Sequence, residues 1–258
     1  MEIGSAASED QPKTLQPCPV CASPFTAYVR KVPTIRTRRL INLYTCLECR
    51  TFWNPSGYRE DEQVLESDLK WGLSVAERNT QAALKLFATL SKLGVEPQSV
   101  ADIGCGIGTL LKTATSLGKS VVGFDVNHRA VKYAVSMNGV EAYAALWDAN
   151  TQTRPIDLYL SIMVLEHLEE PRPLIRELCA AAMKHNAAVF VSVPFMNRDR
   201  WPHILNPDPK VPGTPFFDND VHVTHFSIEG MMKAMADFGL TNTQYVGTEL
   251  WSGVLGRT

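Results

Sequence analysis

The stretch from Val100 to Asp125 limits what this chain can fold into. Val100-Ala101-Asp102-Ile103 is an apolar run suited to a buried parallel strand, and Gly104-Cys105-Gly106-Ile107-Gly108 follows it. Thr109 to Leu117 then reads as helix and Ser120 to Asp125 as the next strand. The three glycines let the backbone turn tightly and let a ligand approach it, while the N-terminus of the following helix favours an anionic group. Spacing narrows the ligand further. A dinucleotide fingerprint, Gly-x-Gly-x-x-Gly from Gly104, requires glycine at 109, where the chain has Thr109. What stands is Asp-x-Gly-x-Gly-x-Gly from Asp102, with a second carboxylate, Asp125, placed to accept both hydroxyls of a ribose.

The pattern continues as alternating strand and helix: Arg129 to Met137 helical, Glu141 to Ala145 strand, Asp157 to Met163 strand, Pro173 to Lys184 helical, Ala187 to Val193 strand. Such alternation means a parallel sheet with helices on both faces. Thr243 to Thr248 and Trp251 to Leu255 supply two final strands after a helix from Ile228 to Phe238 capped by Ser227. Leu146-Trp147-Asp148 follows the third strand, at the carboxyl edge where such sheets bind ligands. Val164-Leu165-Glu166-His167-Leu168-Glu169-Glu170-Pro171 follows the fourth.

With these segments the sequence resembles the class I S-adenosylmethionine-dependent methyltransferases. The resemblance implies an α/β fold with a Rossmann-like, mostly parallel sheet of about seven strands, and S-adenosylmethionine as cofactor. It implies that Asp102, Gly104, Cys105, Gly106 and Gly108 border the methionyl end and that Asp125, followed by Val126, takes the ribose. It further implies that Asp148 meets the adenine amino group, with Leu146 or Trp147 against the ring and Met163 at the end of the fourth strand beside the cofactor. A packed place in the core is the alternative for Trp147. The Leu-Glu-His-Leu-x-x-Pro run is similar to the segment after that strand in many small-molecule methyltransferases. It lacks the Asn/Asp-Pro-Pro-aromatic turn of enzymes that methylate amino groups of nucleic-acid bases, which disfavours a DNA base as acceptor.

Ahead of this domain stand Cys18-Pro19-Val20-Cys21 and Cys46-Leu47-Glu48-Cys49. Four thiolates in two Cys-x-x-Cys pairs make a closed tetrahedral zinc site, structural because no position is left open for water or substrate. Metal also supplies the stabilisation that about forty residues with few large aliphatics lack. The expected organisation is a frayed tail over 1–16, a zinc ribbon over 17–58, a helical segment over 59–94 that covers the cofactor site, and the methyltransferase domain over 95–258. A zinc ribbon, an aromatic-Asn-Pro turn (Trp53-Asn54-Pro55) and a class I domain together resemble a bacterial group that includes deoxysugar C-methyltransferases. Between the cysteine pairs, the basic run Arg30 to Arg39 suits phosphate, of a nucleotide-linked substrate or of RNA; a solvated hairpin face is the alternative.

A formal net charge of −2 argues against a general polyanion binder. No apolar run approaches the ~20 residues of a membrane helix, and Met1 to Gln16 lacks the basic and apolar regions of a secretory signal, so a cytoplasmic location is expected. Residues 194–224 hold six prolines, which forbid a long helix and suggest a substrate lid or wall. The sulfonium already activates the methyl group, so the protein must align the acceptor and, for a hydroxyl, remove a proton. His222 suits that role by imidazole chemistry, with His225 second; ordering the lid or the helix cap is the alternative for each. By resemblance to metal-dependent O-methyltransferases, Glu166 and His167 could instead ligate a cation, although Met163 replaces a carboxylate there; otherwise they line the pocket. The reading is methyl transfer to a small polar metabolite, with oxygen the favoured atom. The rivals are an RNA methyltransferase that grips its strand through the ribbon, and a non-catalytic cofactor-binding adaptor.

Overall fold

A computed structural model describes residues 15–33, 40–55, 62–150, 154–196 and 221–258. The expected tail over 1–16 lies almost wholly outside them, as do Arg36, Arg38 and Arg39 of the basic run and 197–220 of the expected lid.

The large sheet has seven strands in the order β10-β11-β8-β7-β4-β5-β6. Its centre is β4 (Ser99–Ile103), paired in parallel with β5 (Ser120–Asp125) and with β7 (Leu158–Ile162); β6 (Ala142–Ala144) and β8 (Ala188–Ser192) extend it in parallel on either side. An antiparallel pair, β10 (Asn242–Val246) and β11 (Gly253–Arg257), closes the β8 edge. The chain thus leaves β4 for β5 and β6, then returns across the sheet to β7 and β8. Between β4 and β7 the strand order reverses, which opens a crevice at their carboxyl ends.

Alternation of side chains builds a core on each face. Val100, Leu158, Leu160 and Phe190 point one way, under α2 (Ala76–Lys92) and α3 (Thr109–Ser116). Ala101, Tyr159, Val189 and Val191 point the other, under α5 (Arg172–His185) and α6 (Ile228–Asp237). Each fully buried large apolar side chain contributes about 1.5–3 kcal/mol. Of the helical segment expected over 59–94, the described part is two helices. α1 (Glu62–Ser74) ends where the Ser74 hydroxyl donates to the Trp71 carbonyl, and buried Val75, at φ −110° and ψ 6°, turns the chain into α2. The buried stripe of α2 is Ala82, Ala83, Leu86, Phe87 and Leu90, so Leu84 points outward. α4 (His128–Asn138) is capped by the Asn127 side chain, which accepts from the Arg129 and Ala130 amides.

A second sheet holds β1 (Thr26–Pro33), β2 (Leu40–Cys46) and β3 (Phe52–Trp53) of the expected ribbon, and a fourth strand, β9 (Thr224–His225), joins it from far along the chain. β9 pairs antiparallel with β3, Phe52 opposite His225 and Trp53 opposite Thr224.

Closure of the large sheet depends on Gly253, where an added Cβ would meet the Phe190 ring and lie 2.5 Å from the Val191 carbonyl oxygen. Gly253→Ala is therefore expected to lower unfolding free energy by about 1–3 kcal/mol, measured by denaturant titration; an unchanged midpoint would show that β11 tolerates the methyl group.

Candidate active site

The loop after β4 is set by its glycines. Gly104 has φ +85°, and any side chain there would run into Val164; an added Cβ on Gly108, at φ +73°, would lie 2.9 Å from both Ala134 and Val140. The Gly104 and Cys105 amides donate to the Phe124 carbonyl at 2.7 and 3.1 Å, while the Gly106 amide donates to Asp125 Oδ2 at 2.7 Å. Asp125 Oδ1 accepts from the Asn127 amide at 2.8 Å, so two backbone N–H groups orient this carboxylate. Burial nonetheless raises its pKa, and the two N–H bonds oppose the rise.

Asp102 lies at the switch point, in register with Gly123 on one side and Leu160 on the other. It is buried, and its pKa is pushed up to about 7, first by burial and then by the charge of Asp125. A cationic ligand group in the crevice would offset that cost.

Sequence reasoning missed Asp68. The Leu65 carbonyl of α1 accepts from Asn127 Nδ2 at 2.9 Å, Glu66 pairs with Arg129 at 3.2 Å, and the Cβ position of Gly72 lies 3.4 Å from Ile107. Positions 65, 68 and 72 share one helical face, so α1 lies across the glycine loop with Asp68 turned toward Asp125. Asp68 stays exposed at the rim, and partial desolvation and then the Asp125 charge raise its pKa. The available signal was that stripe, although its destination is fixed only by tertiary packing.

The remaining cofactor candidates divide. Val126 is exposed at the crevice rim and Met163, also exposed, holds the left-handed conformation at φ +59°, which turns the chain out of β7. The Cys105 side chain packs with Leu111, Ala134 and Val140, so only its backbone borders the crevice. Trp147 is 7% exposed and packs on Tyr159 with ring centroids 5.6 Å apart, which is the core alternative; its neighbour Leu146, 83% exposed, is the one open to a ring. Asp148 is exposed, and its Oδ1 accepts from the Asn150 amide and side chain.

Beyond Met163 a 3₁₀ turn, Leu165–His167, brings Glu166 and His167 to the crevice, and the Val223 amide bonds back to the Glu166 carbonyl at 2.8 Å. One ligand atom each of Glu166, His167 and His222 lie within 4.8 Å of one another. The two imidazoles meet edge to face at 4.9 Å. His167 Nδ1 faces the Val221 carbonyl at 3.1 Å, and since a carbonyl only accepts, Nδ1 carries the proton and Nε2 presents a lone pair. Burial lowers the His167 pKa, the bond to Val221 opposing it. Glu166 is 1% exposed, with neither carboxyl oxygen hydrogen-bonded among the described residues, and burial pushes its pKa up to about 8.

The structure does not bring His225 into this group. Thr224 Oγ1 donates to the Leu168 carbonyl at 3.0 Å, so alternation turns His222 and Thr224 toward the 3₁₀ turn and His225 away from it. His225 is buried in the ribbon sheet opposite Phe52, and burial lowers its pKa to about 4.

The sulfurs of Cys18, Cys21, Cys46 and Cys49 lie within 4.8 Å of one another and are buried. Cys18 to Cys49 and Cys21 to Cys46 are each 3.6 Å, near the roughly 3.8 Å edge of a tetrahedron of zinc–thiolate bonds. The Val20 and Cys21 amides point at Cys18 Sγ, and the Cys49 amide at Cys46 Sγ, each at 3.4 Å, which stabilises thiolate charge. This donor set fits a structural zinc ion.

The family model of the methyltransferase domain matches residues 75–245. The chain belongs to that family. The matched stretch is that family's methyltransferase domain. The chain is 32% identical over 113 residues to a ubiquinone biosynthesis O-methyltransferase of Nitrosomonas europaea, covering 41% of this chain and 47% of that protein. It is 29% identical over 139 residues to a ribosomal protein L11 methyltransferase of Pasteurella multocida, covering 50% of this chain and 47% of the relative. The chain thus spans about half the length of these curated relatives. In fold it is similar to human N-acetylserotonin methyltransferase in complex with S-adenosylmethionine, at TM-score 0.54 and 17% identity over 75% of this chain and 56% of that one. It is also similar to an O-methyltransferase family protein from Burkholderia thailandensis, at TM-score 0.55 and 17% identity over 76% and 62%. No described helix is long and apolar enough to cross a membrane.

Asp102 binds its proton more tightly in the folded chain, at about 7, than at its ordinary value of 3.8. The folded state therefore holds the extra proton between these values, and stability falls as pH rises through that window. Asp102→Asn is expected to gain thermal stability over the parent from pH 5 to pH 8 without cofactor, and to bind S-adenosylmethionine about tenfold or more weakly. A melting-temperature difference that does not change with pH would remove Asp102 as the buried charge.

Proposed function

We propose that this methyltransferase moves the methyl group of S-adenosylmethionine to an oxygen atom of a small polar metabolite at the Glu166–His167–His222 group, with His222 as general base. The observation that carries the reading is the convergence of those three side chains beside the crevice between β4 and β7. The cofactor supplies a methyl group already activated by its positive sulfur. The glycine loop and Asp125 hold the ribose and methionyl parts, Asp102 balances positive charge, and α1 with Asp68 covers the crevice. His222 takes the acceptor proton as its oxygen attacks. His167, fixed by Val221, holds the His222 ring at its edge. The O-methyltransferase names of the Nitrosomonas relative and the Burkholderia structure support oxygen as the acceptor.

The same donors favour a second reading. One carboxylate and two imidazoles within 4.8 Å suit a divalent transition metal better than magnesium, which prefers oxygen ligands. Such an ion would lower the acceptor hydroxyl pKa, and His222 would then act as ligand.

His222→Ala is expected to lower label transfer from methyl-labelled S-adenosylmethionine into the small-molecule fraction of a cell extract by roughly a hundredfold or more, with cofactor affinity intact. Unchanged transfer would remove His222 as the base. Label that enters RNA instead would replace the small-molecule reading with its rival, and cofactor binding with no label in any fraction would favour the adaptor.

A further inference from the structure

The ribbon and the acceptor side of the crevice are joined through one segment, Val221 to Ser227. On its crevice side, Val221 receives the His167 bond, Val223 donates to Glu166 and Thr224 donates to Leu168. On its other side the same residues belong to the ribbon. β9 pairs with β3, and the Asn54 amide donates to the Val223 carbonyl at 2.9 Å. Ser227 ends the segment with two bonds: its hydroxyl donates to the Cys49 carbonyl in the second cysteine knuckle, and its oxygen accepts from the Gly230 amide at 2.9 Å to cap α6. The approach is close enough that a Cβ on Gly230 would lie 2.8 Å from Thr51 Oγ1 and 3.2 Å from Cys49 Sγ. The first knuckle is tied down separately, by Arg172 Nη1 donating to the Val20 carbonyl at 2.7 Å.

We infer that the four-cysteine centre is the scaffold of the acceptor site: the bound metal holds the second knuckle and β3 in place, these hold Val221 to Ser227, and Ser227 is the positioning residue that passes the constraint to His222. The inference rests on the proposed role of His222 for its effect on turnover, and on the hydrogen bonds alone for its effect on structure. Two paired residues make too short a strand to persist by themselves. One face of the ribbon sheet carries only a small apolar cluster, Val32, Ile41, Leu43, Phe52 and Met196, while Val20, Tyr44 and Trp53 join the large core with the four cysteines among them, so a metal held by those cysteines would fix the ribbon where it meets that core. The cofactor side is built differently. The bonds that set the glycine loop and orient Asp125 run within residues 104–127, none of them to the ribbon. Loss of the metal should therefore release the base and leave the cofactor crevice formed.

The test uses the full chain, stripped by chelation under reducing conditions and then reloaded with Zn²⁺ or with Mg²⁺. Amide hydrogen exchange is read over residues 221–230 and over β4 to β8, S-adenosylmethionine affinity by calorimetry, and methyl transfer by label. The expected result is faster exchange confined to 221–230 and the ribbon, cofactor affinity within about threefold, transfer lowered by roughly tenfold to a hundredfold, and recovery with Zn²⁺ but not Mg²⁺. Unchanged exchange over 221–230, joint loss of exchange protection in β4 to β8, or recovery with Mg²⁺ would each overturn the inference. Exchange is read without acceptor, so it tests the scaffold even where His222 proves not to be the base. Ser227→Ala, which leaves every cysteine in place, should loosen 221–230 and lower transfer with bound zinc unchanged, and Ser227→Thr should restore both. A Ser227→Ala protein with parental exchange and transfer would remove Ser227 from the path.

Discussion

Between β4 and β7 no crossover connection among the described residues covers the carboxyl ends of the strands, because the chain runs outward from β4 through β5 and β6 and only later returns through β7 and β8. The candidate site residues gather at that gap. Asp102 and the glycine loop leave β4, Asp125 ends β5, and the left-handed turn at Met163 throws Glu166 and His167 off the end of β7. The two halves of the candidate site therefore face each other by topology.

That placement has an electrostatic cost. Asp102 and Glu166 are buried carboxyls, and both hold their protons far above the ordinary carboxylate range. Nearby Asp125 adds negative potential to Asp102 and Asp68. Hydrophobic residues at these positions would fold with less penalty. Uncompensated acids are tolerable where a cation will arrive, and a sulfonium with an adjacent ammonium is such a cation. Glu166 belongs to a group whose other members are two imidazoles, His167 and His222, which suits either a proton relay or a metal.

The geometry of the candidate cofactor half was legible because its signals are local. Asp102, the three glycines and Asp125 occupy one strand–loop–helix–strand unit, and their spacing fixes the turn before any tertiary contact forms. The seven-stranded sheet followed from the same periodicities, and the four cysteines from their paired spacing. What was not legible depends on distant packing. Asp68 becomes part of the crevice only when α1 lies across the loop, and Trp147 becomes core only because Tyr159 waits beneath it. His222 and His225 look equivalent in sequence, three residues apart in an extended segment. Pairing of β9 with β3, across more than 170 residues of chain, decides which face each one takes.

This difference in range separates the two halves physically. The cofactor half is made by one stretch of chain that nearly contains its own hydrogen bonds, so it can form with the sheet. The acceptor half is closed from both sides by elements that must meet late: the 3₁₀ turn after β7 and a ribbon from the start of the chain. A loosely held histidine would sample many orientations, and methyl transfer needs one of them, with the acceptor oxygen in line with the sulfur–carbon bond. A zinc centre is a compact way to fix such a segment, because four metal–ligand bonds would pin the ribbon at the point where it joins the large core. On this view the ribbon belongs to the acceptor wall, and the shape of that wall can change with ribbon residues while the cofactor crevice stays the same.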